Sequence, residues 1–516
     1  MQNRKAYATS GNHIGGRVIV LFLLFLFALY QFYSMGLTIF AAICLLPAII
    51  IFIFLALRHQ NALFWYIFFM NYFVMGLQRY GYISVQVTIV TVLPQVLLII
   101  ALIIHPRKAN NSLGTPMLFA ILLWTSYLLI QVFNETCGLP VSITNWLTNL
   151  NFFSFYFILA YILISKIVNT PENIMHFLRL WAIFSLIATY WAWRQKTFGW
   201  DQTEWRWLMS GASRTHLIGG SIRYFSFFSD AANFGCNMGA SAALFYILAL
   251  TSKLKKDKIL FWITGIACTY SFFASGTRSA LICFMVAIFL YVFLAKSAKL
   301  TAIVLILGGT FVFIMAFTDI GQGNMQIRRM RSAFNTNDAS LNVRDLNKQA
   351  LKKYLQDAPF GLGINIDEGR VPKFNKFKIV YETSNDSTYV FFWQRTGIVG
   401  VYVFSTMNII ILLGGCFISF FRLKNKACKG IAAALCCGFL GIQAGGYANH
   451  ILMQYPNLLL FYGGMAIVYL LPAIEPEYIA YEEKMVAEVE EKKRLRLEKI
   501  KEKRIKPWYS WIYKYL

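Results

Sequence analysis

Long apolar runs decide most of what this chain can fold into. Val18–Tyr33, Leu37–Leu57, Pro116–Phe133 and Ala298–Phe317 are each long enough, or nearly so, to cross a hydrocarbon layer as a helix. Spanning β-strands would be about half that length and would alternate in polarity. With 58% hydrophobic and 14% charged residues among 516, the chain carries far more apolar surface than one water-soluble core buries. The sequence therefore predicts an all-α polytopic membrane protein. Hydropathy predicts about 14 transmembrane helices, centred near residues 26, 47, 69, 96, 125, 157, 186, 241, 266, 285, 308, 410, 438 and 464. The first run lacks a small-residue cleavage site and is followed at once by a second, so it reads as a retained helix.

A net charge of +25 would suit a nucleic-acid binder, but the basic residues are dispersed among short connections between apolar runs. No nucleic-acid partner is expected. Alternate connections carry the lysines and arginines, among them Arg107, Lys166, Lys253, Lys296 and Arg422, which marks them as cytoplasmic and places both termini inside. The opposite short connections hold almost none, Arg79 being an exception. By the same alternation two long polar segments, Gln195 to Phe228 and Asp319 to Asp386, face outward. Their arginines (Arg206, Arg214, Arg223, Arg328, Arg329, Arg331 and Arg344) lie against the charge rule, and either a solvated loop surface or an anionic ligand accounts for them.

Four regions follow: helices 1–11 over residues 1–318 with a shorter outward loop near 195–228, an extracytoplasmic loop domain at 319–386, helices 12–14 over 387–472, and a cytoplasmic basic amphipathic tail at 473–516. Within the loop domain, Asn342 to Leu355 predicts an amphipathic helix with Val343, Leu346, Ala350, Leu351 and Tyr354 on one face and Asn342 as N-cap. "PFGLG" at Pro359 to Gly363 then breaks it, so the large loop is partly helical. Gly397 and Gly400 permit a bend or close helix packing after the chain returns to the membrane. The tail, with helical pairs such as Glu488 with Lys492 and Glu490 with Arg494, ends in the aromatic, basic "KPWYSWIYKYL" of an interfacial anchor. The nine cysteines show no C-x-x-C pair and mostly sit in apolar runs, as small core hydrophobes do. Cys137 and Cys236 could share an oxidising side, and a bridge between them has no further support.

The chemistry gathers at the outward edge. Arg278, in "SGTRSALICF", opens an apolar run at interface depth. It either snorkels or holds a diphosphate through its guanidinium fork as a glycosyl bond breaks. Arg223, in "SIRYFSFFSDAANFG", precedes a partly polar stretch containing Asp230 and Asn233, where helix capping is the alternative to ligand contact. Asp386 and Glu382 stand where the second loop returns to the membrane, and a carboxylate there could take a proton from an attacking sugar hydroxyl, with capping again the competing role. His216 and His450 are the outward histidines, each read as a satisfied polar residue. There is no phosphate-cradling glycine loop, no dinucleotide fingerprint and no metal-ligand cluster in the sequence, so no cofactor or metal is expected.

These passages together resemble the O-antigen ligase and O-antigen polymerase superfamily, bacterial inner-membrane glycosyltransferases with a large periplasmic loop between late helices. The resembling segments are "RYFSFFSDAANFG", "SGTRSALI", "VRDLNKQALKKYLQDAPFGLGI" and "NDSTYVFFWQRTGIVGVYVF", running from Arg223 to Phe404. The resemblance implies metal-independent transfer of a glycan from an undecaprenyl-diphosphate carrier to a sugar hydroxyl, in a multi-pass protein of the bacterial inner membrane. Carried over by position, Arg223, Arg278 and Arg344 would be the diphosphate and acceptor contacts; the reading of the residues themselves adds Arg328, Arg331 and Asn385 as substrate-binding candidates and Arg278 and Asp386 as catalytic ones. Ligases of the superfamily usually place a His-Asn pair at the return to the membrane, where this chain has Asn385, Asp386 and Ser387. That departure favours a polymerase of lipid-linked repeat units over a ligase to lipid A core. A polysaccharide flippase is the alternative from another class, and would be expected to show two similar halves. The implied partners are the polyprenyl-diphosphate-linked glycan, membrane lipid, and a chain-length regulator or flippase.

Overall fold

A computed structural model describes residues 54, 57–81, 87–107, 114–218, 221–331, 339–366, 369, 371–384 and 387–505. Two compact units divide the chain. The first, residues 1–65 and 93–106, is tied internally by Gln60, whose Nε2 donates to the Ala101 and His105 carbonyls at 2.8 and 3.0 Å. The second, residues 66–92 and 107–516, carries everything that follows.

In chain order the helices are α1 (Gln60–Arg79), α2 (Val87–Ile104), α3 (Pro116–Phe133), α4 (Ile143–Ile167), α5 (Pro171–Phe198), α6 (Gln202–Trp207), α7 (Ala231–Thr251) and α8 (Lys255–Ala274). They continue as α9 (Arg278–Ala295), α10 (Ala298–Phe317), α11 (Met325–Arg331), α12 (Ala339–Leu355), α13 (Lys378–Glu382), α14 (Thr388–Arg422), α15 (Lys426–Ala448) and α16 (Gly463–Ile505). The strands of one small antiparallel hairpin, β1 (Leu217–Ile218) and β2 (Ser221–Ile222), precede α7. Among the described residues, nine helices are long and apolar enough to cross a membrane: α3, α4, α5, α7, α9, α10, α14, α15 and the helix that includes α16. The centres expected near 69 and 266 fall on α1 and α8, helices short of that apolarity, and the one near 96 falls on α2, an apolar helix of 18 residues. Those near 26 and 47 lie outside the described residues.

The spans start where polar caps meet apolar runs. Thr115 accepts from the Leu118 N–H with Pro116 in the first turn, Thr170 and Pro171 repeat the device, and Asn425 caps α15 through the Ala427 N–H at 2.8 Å. In their most apolar stretches, 83% of the residues of α7 and of α15 are buried, against 6% for α10 among the described residues. Small residues let the central helices touch. A Cβ on Gly239 would stand 2.3 Å from the Ala280 carbonyl of α9, and one on Gly441 of α15 would stand 2.7 Å from the Cys283 carbonyl.

The large polar loop folds around an apolar centre, with Leu351, Leu355, Ala358, Leu362, Ile366, Val371, Phe377 and Val380 buried beside Cys137. Its "PFGLG" segment is stitched into α14. The Leu362 and Gly363 N–H groups donate to the Gln394 and Arg395 carbonyls at 3.0 and 2.8 Å, and the Val399 N–H donates to Pro359 O at 3.2 Å. This is where α14 breaks: Gly397 has φ +69°, and a Cβ there would lie 2.0 Å from Pro359 O. Asn134 reaches across from the end of α3, its Nδ2 donating to the Phe360 and Gly361 carbonyls at 2.9 and 3.2 Å.

Three expectations change. The loop helix starts at Ala339, not at an Asn342 cap, and its buried stripe is Leu351 and Leu355, whereas Leu346 is 64% exposed and Ala350 is exposed. Attachment to α14 rotates the helix so that the row above Leu351, Arg344 with Lys348, turns inward instead. Cys137 and Cys236 are free thiols buried in different places, the first in the loop core and the second on α7. In the tail, Glu488 pairs with Lys492 at 4.0 Å, but Arg494 pairs forward with Glu498 at 3.8 Å, not with Glu490. α16 continues past residue 472 to Ile505.

Candidate functional site

A cavity of about 370 Å³ opens where α9, α11, α12 and the first turn of α14 meet the end of α15. Arg223, Arg278, Arg329, Arg344 and Lys348 line it, with Asp345 the one carboxylate among the described lining residues. Arg223 reaches it from the strand end before α7. Its Nη2 donates to Thr277 Oγ1 at 2.8 Å and its Nη1 to the Thr215 carbonyl at 2.9 Å, while its Nε is buried without a hydrogen-bond partner. Thr277 passes the link on, its hydroxyl donating to Ala231 O at 2.8 Å in the first turn of α7. Gly276, at φ +58°, makes room: a Cβ there would touch the side chains of Arg329 and Arg223 at 3.4 and 3.5 Å.

Burial pushes the Arg223 guanidinium down to about 10, and the neighbouring charges of Arg329 and Arg278 push the same way, against Asp230. Like charges held this close in a partly enclosed space cost free energy unless an anion joins them. Ile282, one turn along α9 from Arg278, lines the cavity and remains 45% exposed. Ser279, Ser384, Ser387 and Asn449 add hydroxyl and amide groups, Asn449 Nδ2 donating to Ser279 Oγ at 2.6 Å.

Of the residues singled out from the sequence, Arg223, Arg278 and Arg344 come together. Arg328 and Arg331 do not line the cavity; Arg329, between them on α11, does, and Arg331 donates to Ile320 O at 2.8 Å instead. Asn385 and Asp386 lie outside the described residues, between the cavity-lining Ser384 and Ser387. Ser387 is the observed cap of α14, accepting from the Tyr389 N–H at 3.2 Å. Asp230 caps α7 through the Ala232 and Asn233 N–H groups at 2.7 and 2.9 Å. Glu382 is an exposed neighbour of Lys378, 3.8 Å away.

His216 uses both ring nitrogens structurally. Nδ1–H donates to Ala212 O at 2.9 Å and Nε2 accepts from the Ala231 N–H at 3.1 Å, and burial lowers its pKa to about 4. His450 packs on the Phe391 ring at 4.3 Å, is pushed to about 4 by burial and the Arg395 charge, and does not line the cavity. Arg79, the exception to the charge rule, is a staple for the shorter outward loop: it donates to the Ser226 and Phe228 carbonyls and lies 4.2 and 4.5 Å from the Trp207 and Phe225 ring centroids. Among the described residues no group of three or more His, Cys, Asp or Glu is placed to hold a metal ion.

Sequence reasoning missed Arg329, Lys348, Tyr447 and Asn449 as lining residues. Lys348 was findable by counting back one helical turn from Leu351, whereas nothing in the local pattern singled out Arg329 from Arg328 and Arg331. Tyr447 and Asn449 ended a charge-poor connection, and only the cluster of Gln443, Asn449 and His450 in an apolar run hinted at a site.

The O-antigen ligase family model matches residues 260–405, which contain α9, α11, α12 and the start of α14, hence Arg278, Arg329, Arg344 and Lys348. Arg223, Tyr447 and Asn449 come from outside the matched stretch. No curated protein matches the chain.

Proposed function

We propose that this chain, whose residues 260–405 match the O-antigen ligase family model, is a polymerase of lipid-linked oligosaccharide repeat units for a surface polysaccharide. The observation that carries the reading is the cavity lined by five basic side chains from four segments of the chain. A diphosphate offers such a cluster several acceptor oxygens and a multiple negative charge in one group. The exposed Ile282 below Arg278 gives a polyprenyl chain an apolar way out to lipid.

In the reaction, the oxygen of an acceptor sugar hydroxyl attacks the anomeric carbon of the donor glycan from the face opposite the diphosphate. The new C–O bond forms as the bond to the diphosphate oxygen breaks, with inversion, and undecaprenyl diphosphate leaves with the bonding electron pair. Arg223, Arg278, Arg329 and Arg344 stabilise the charge that develops on the leaving oxygen more than they stabilise the ground state. The hydroxyl proton goes to a carboxylate, for which Asp386 at the start of α14 is the candidate. No metal is needed in this scheme, because guanidinium groups carry the positive charge. The protein would sit in the bacterial inner membrane with both termini cytoplasmic and the cavity on the opposite side.

Transfer of the glycan to lipid A core is the second reading, favoured by the description of the matching family. The glycan profile of a deletion strain separates the two. Loss of long polymer with single repeat units still attached to lipid core supports the polymerase. Accumulation of finished lipid-linked polymer supports the ligase, and an unchanged profile rules out both.

A further inference from the structure

The cavity has two chemistries, and the arginines account for one. Tyr447, at the end of α15, lines it and keeps 66% of its surface exposed. Its ring is held in place, with the centroid of the Tyr389 ring 6.3 Å away and Lys348 Nζ 5.2 Å from its own centroid. Asp345 and Asn347, on the α12 turn that carries Arg344, line the same space. A diphosphate alone does not account for this side. Its carboxylate repels an anion, and its aromatic ring presents an apolar surface that phosphate oxygens do not use.

A pyranose ring fits what is there. Its apolar C–H face packs on an aromatic ring, and its hydroxyls donate to a carboxylate and exchange hydrogen bonds with an amide. We propose that Tyr447, Asp345 and Asn347 form a carbohydrate subsite that holds the sugar attached to the diphosphate. The inference rests on the glycan-transfer reading above and deepens it by naming where the donor sugar lies. Arg344 and Asp345, consecutive on α12, would mark the boundary between the diphosphate and the sugar.

The test is binding by the full-length protein in lipid nanodiscs. The probes are sugar-free undecaprenyl diphosphate and the lipid-linked repeat unit that accumulates when the gene is deleted. Tyr447→Ala should weaken the glycan-bearing lipid about tenfold, a single anchor's contribution, and leave the sugar-free lipid unchanged. Asp345→Asn should act in the same direction, and Tyr447→Trp should keep near-normal affinity. Arg223→Ala should weaken both lipids. If Tyr447→Ala alters neither ligand or both equally, or if Tyr447→Trp loses as much as the alanine variant, the subsite is wrong while the diphosphate reading stands. If the wild-type protein binds neither lipid, the proposed function falls and the subsite with it.

Discussion

The two ends of the helix bundle use positive charge in opposite ways. At the end holding the α7–α8 and α14–α15 connections, cations meet acids. Lys253 Nζ lies 2.6 Å from Glu482, and Arg179 makes two bonds to Asp257 at 2.8 and 2.9 Å. Glu475 accepts from the Lys424 and Asn425 N–H groups at 2.7 and 2.5 Å. At the cavity end, five cations and one carboxylate stand among the described lining residues. Matched charge of the first kind fastens α16 to the bundle, whereas the grouped cations at the other end are arranged as the proposed multiply charged ligand would need. The contrast separates charge that serves folding from charge that serves binding, which net charge alone cannot do.

The largest effect that could break this contrast is at Arg278. Arg278→Ala should lower polymer formation at least ~100-fold, the scale for losing one preorganised stabiliser of leaving-group charge, with membrane levels unchanged by immunoblot. Arg278→Lys should recover little, because an ammonium cannot bind two oxygens in one plane. Normal polymer in the alanine variant would remove the arginine from the chemistry.

Next comes the seam between loop and membrane. Gly397→Ala forces a side chain into φ +69° and against Pro359 O, so it should cost on the order of 1–3 kcal/mol and lower the thermal midpoint of the detergent-purified protein. An unchanged midpoint would mean that α14 and the loop are not locked together.

A smaller effect sharpens the comparison within one helix. Arg329→Gln should reduce activity and relieve part of the like-charge effect on its neighbour Arg223. Arg328→Gln should do neither. Pyrophosphate should stabilise the wild type more than Arg329→Gln. Burial and like charge hold the Arg223 pKa near 10, below the ordinary guanidinium value, so the cost of its charge is present throughout the neutral range and fades as pH rises through about 10.

The smallest effect belongs to the other end. Lys253→Ala removes a half-exposed partner of Glu482 and should cost ~1 kcal/mol or less with polymer unchanged. A large activity loss there would show that the two ends are coupled.

Much of this could be read along the chain because it depends on local properties. Apolar length gave the helical spans, Pro359 to Gly363 gave the loop break, Gly397 gave the bend, and the outward arginines gave the edge where chemistry gathers. Each rests on residues within one or two turns of each other, so the signal survives without a structure. Which arginine of Arg328, Arg329 and Arg331 turns inward, why Leu346 is left exposed, and why Tyr447 and Asn449 share a cavity with Arg223 were decided only by the tertiary structure. Helix rotation is set by what the opposite face packs against, here the stitching of residues 359–363 onto α14 and the glycine contacts that draw α7, α9 and α15 together. Those contacts join residues scores of positions apart, and one-dimensional periodicity carries no record of them.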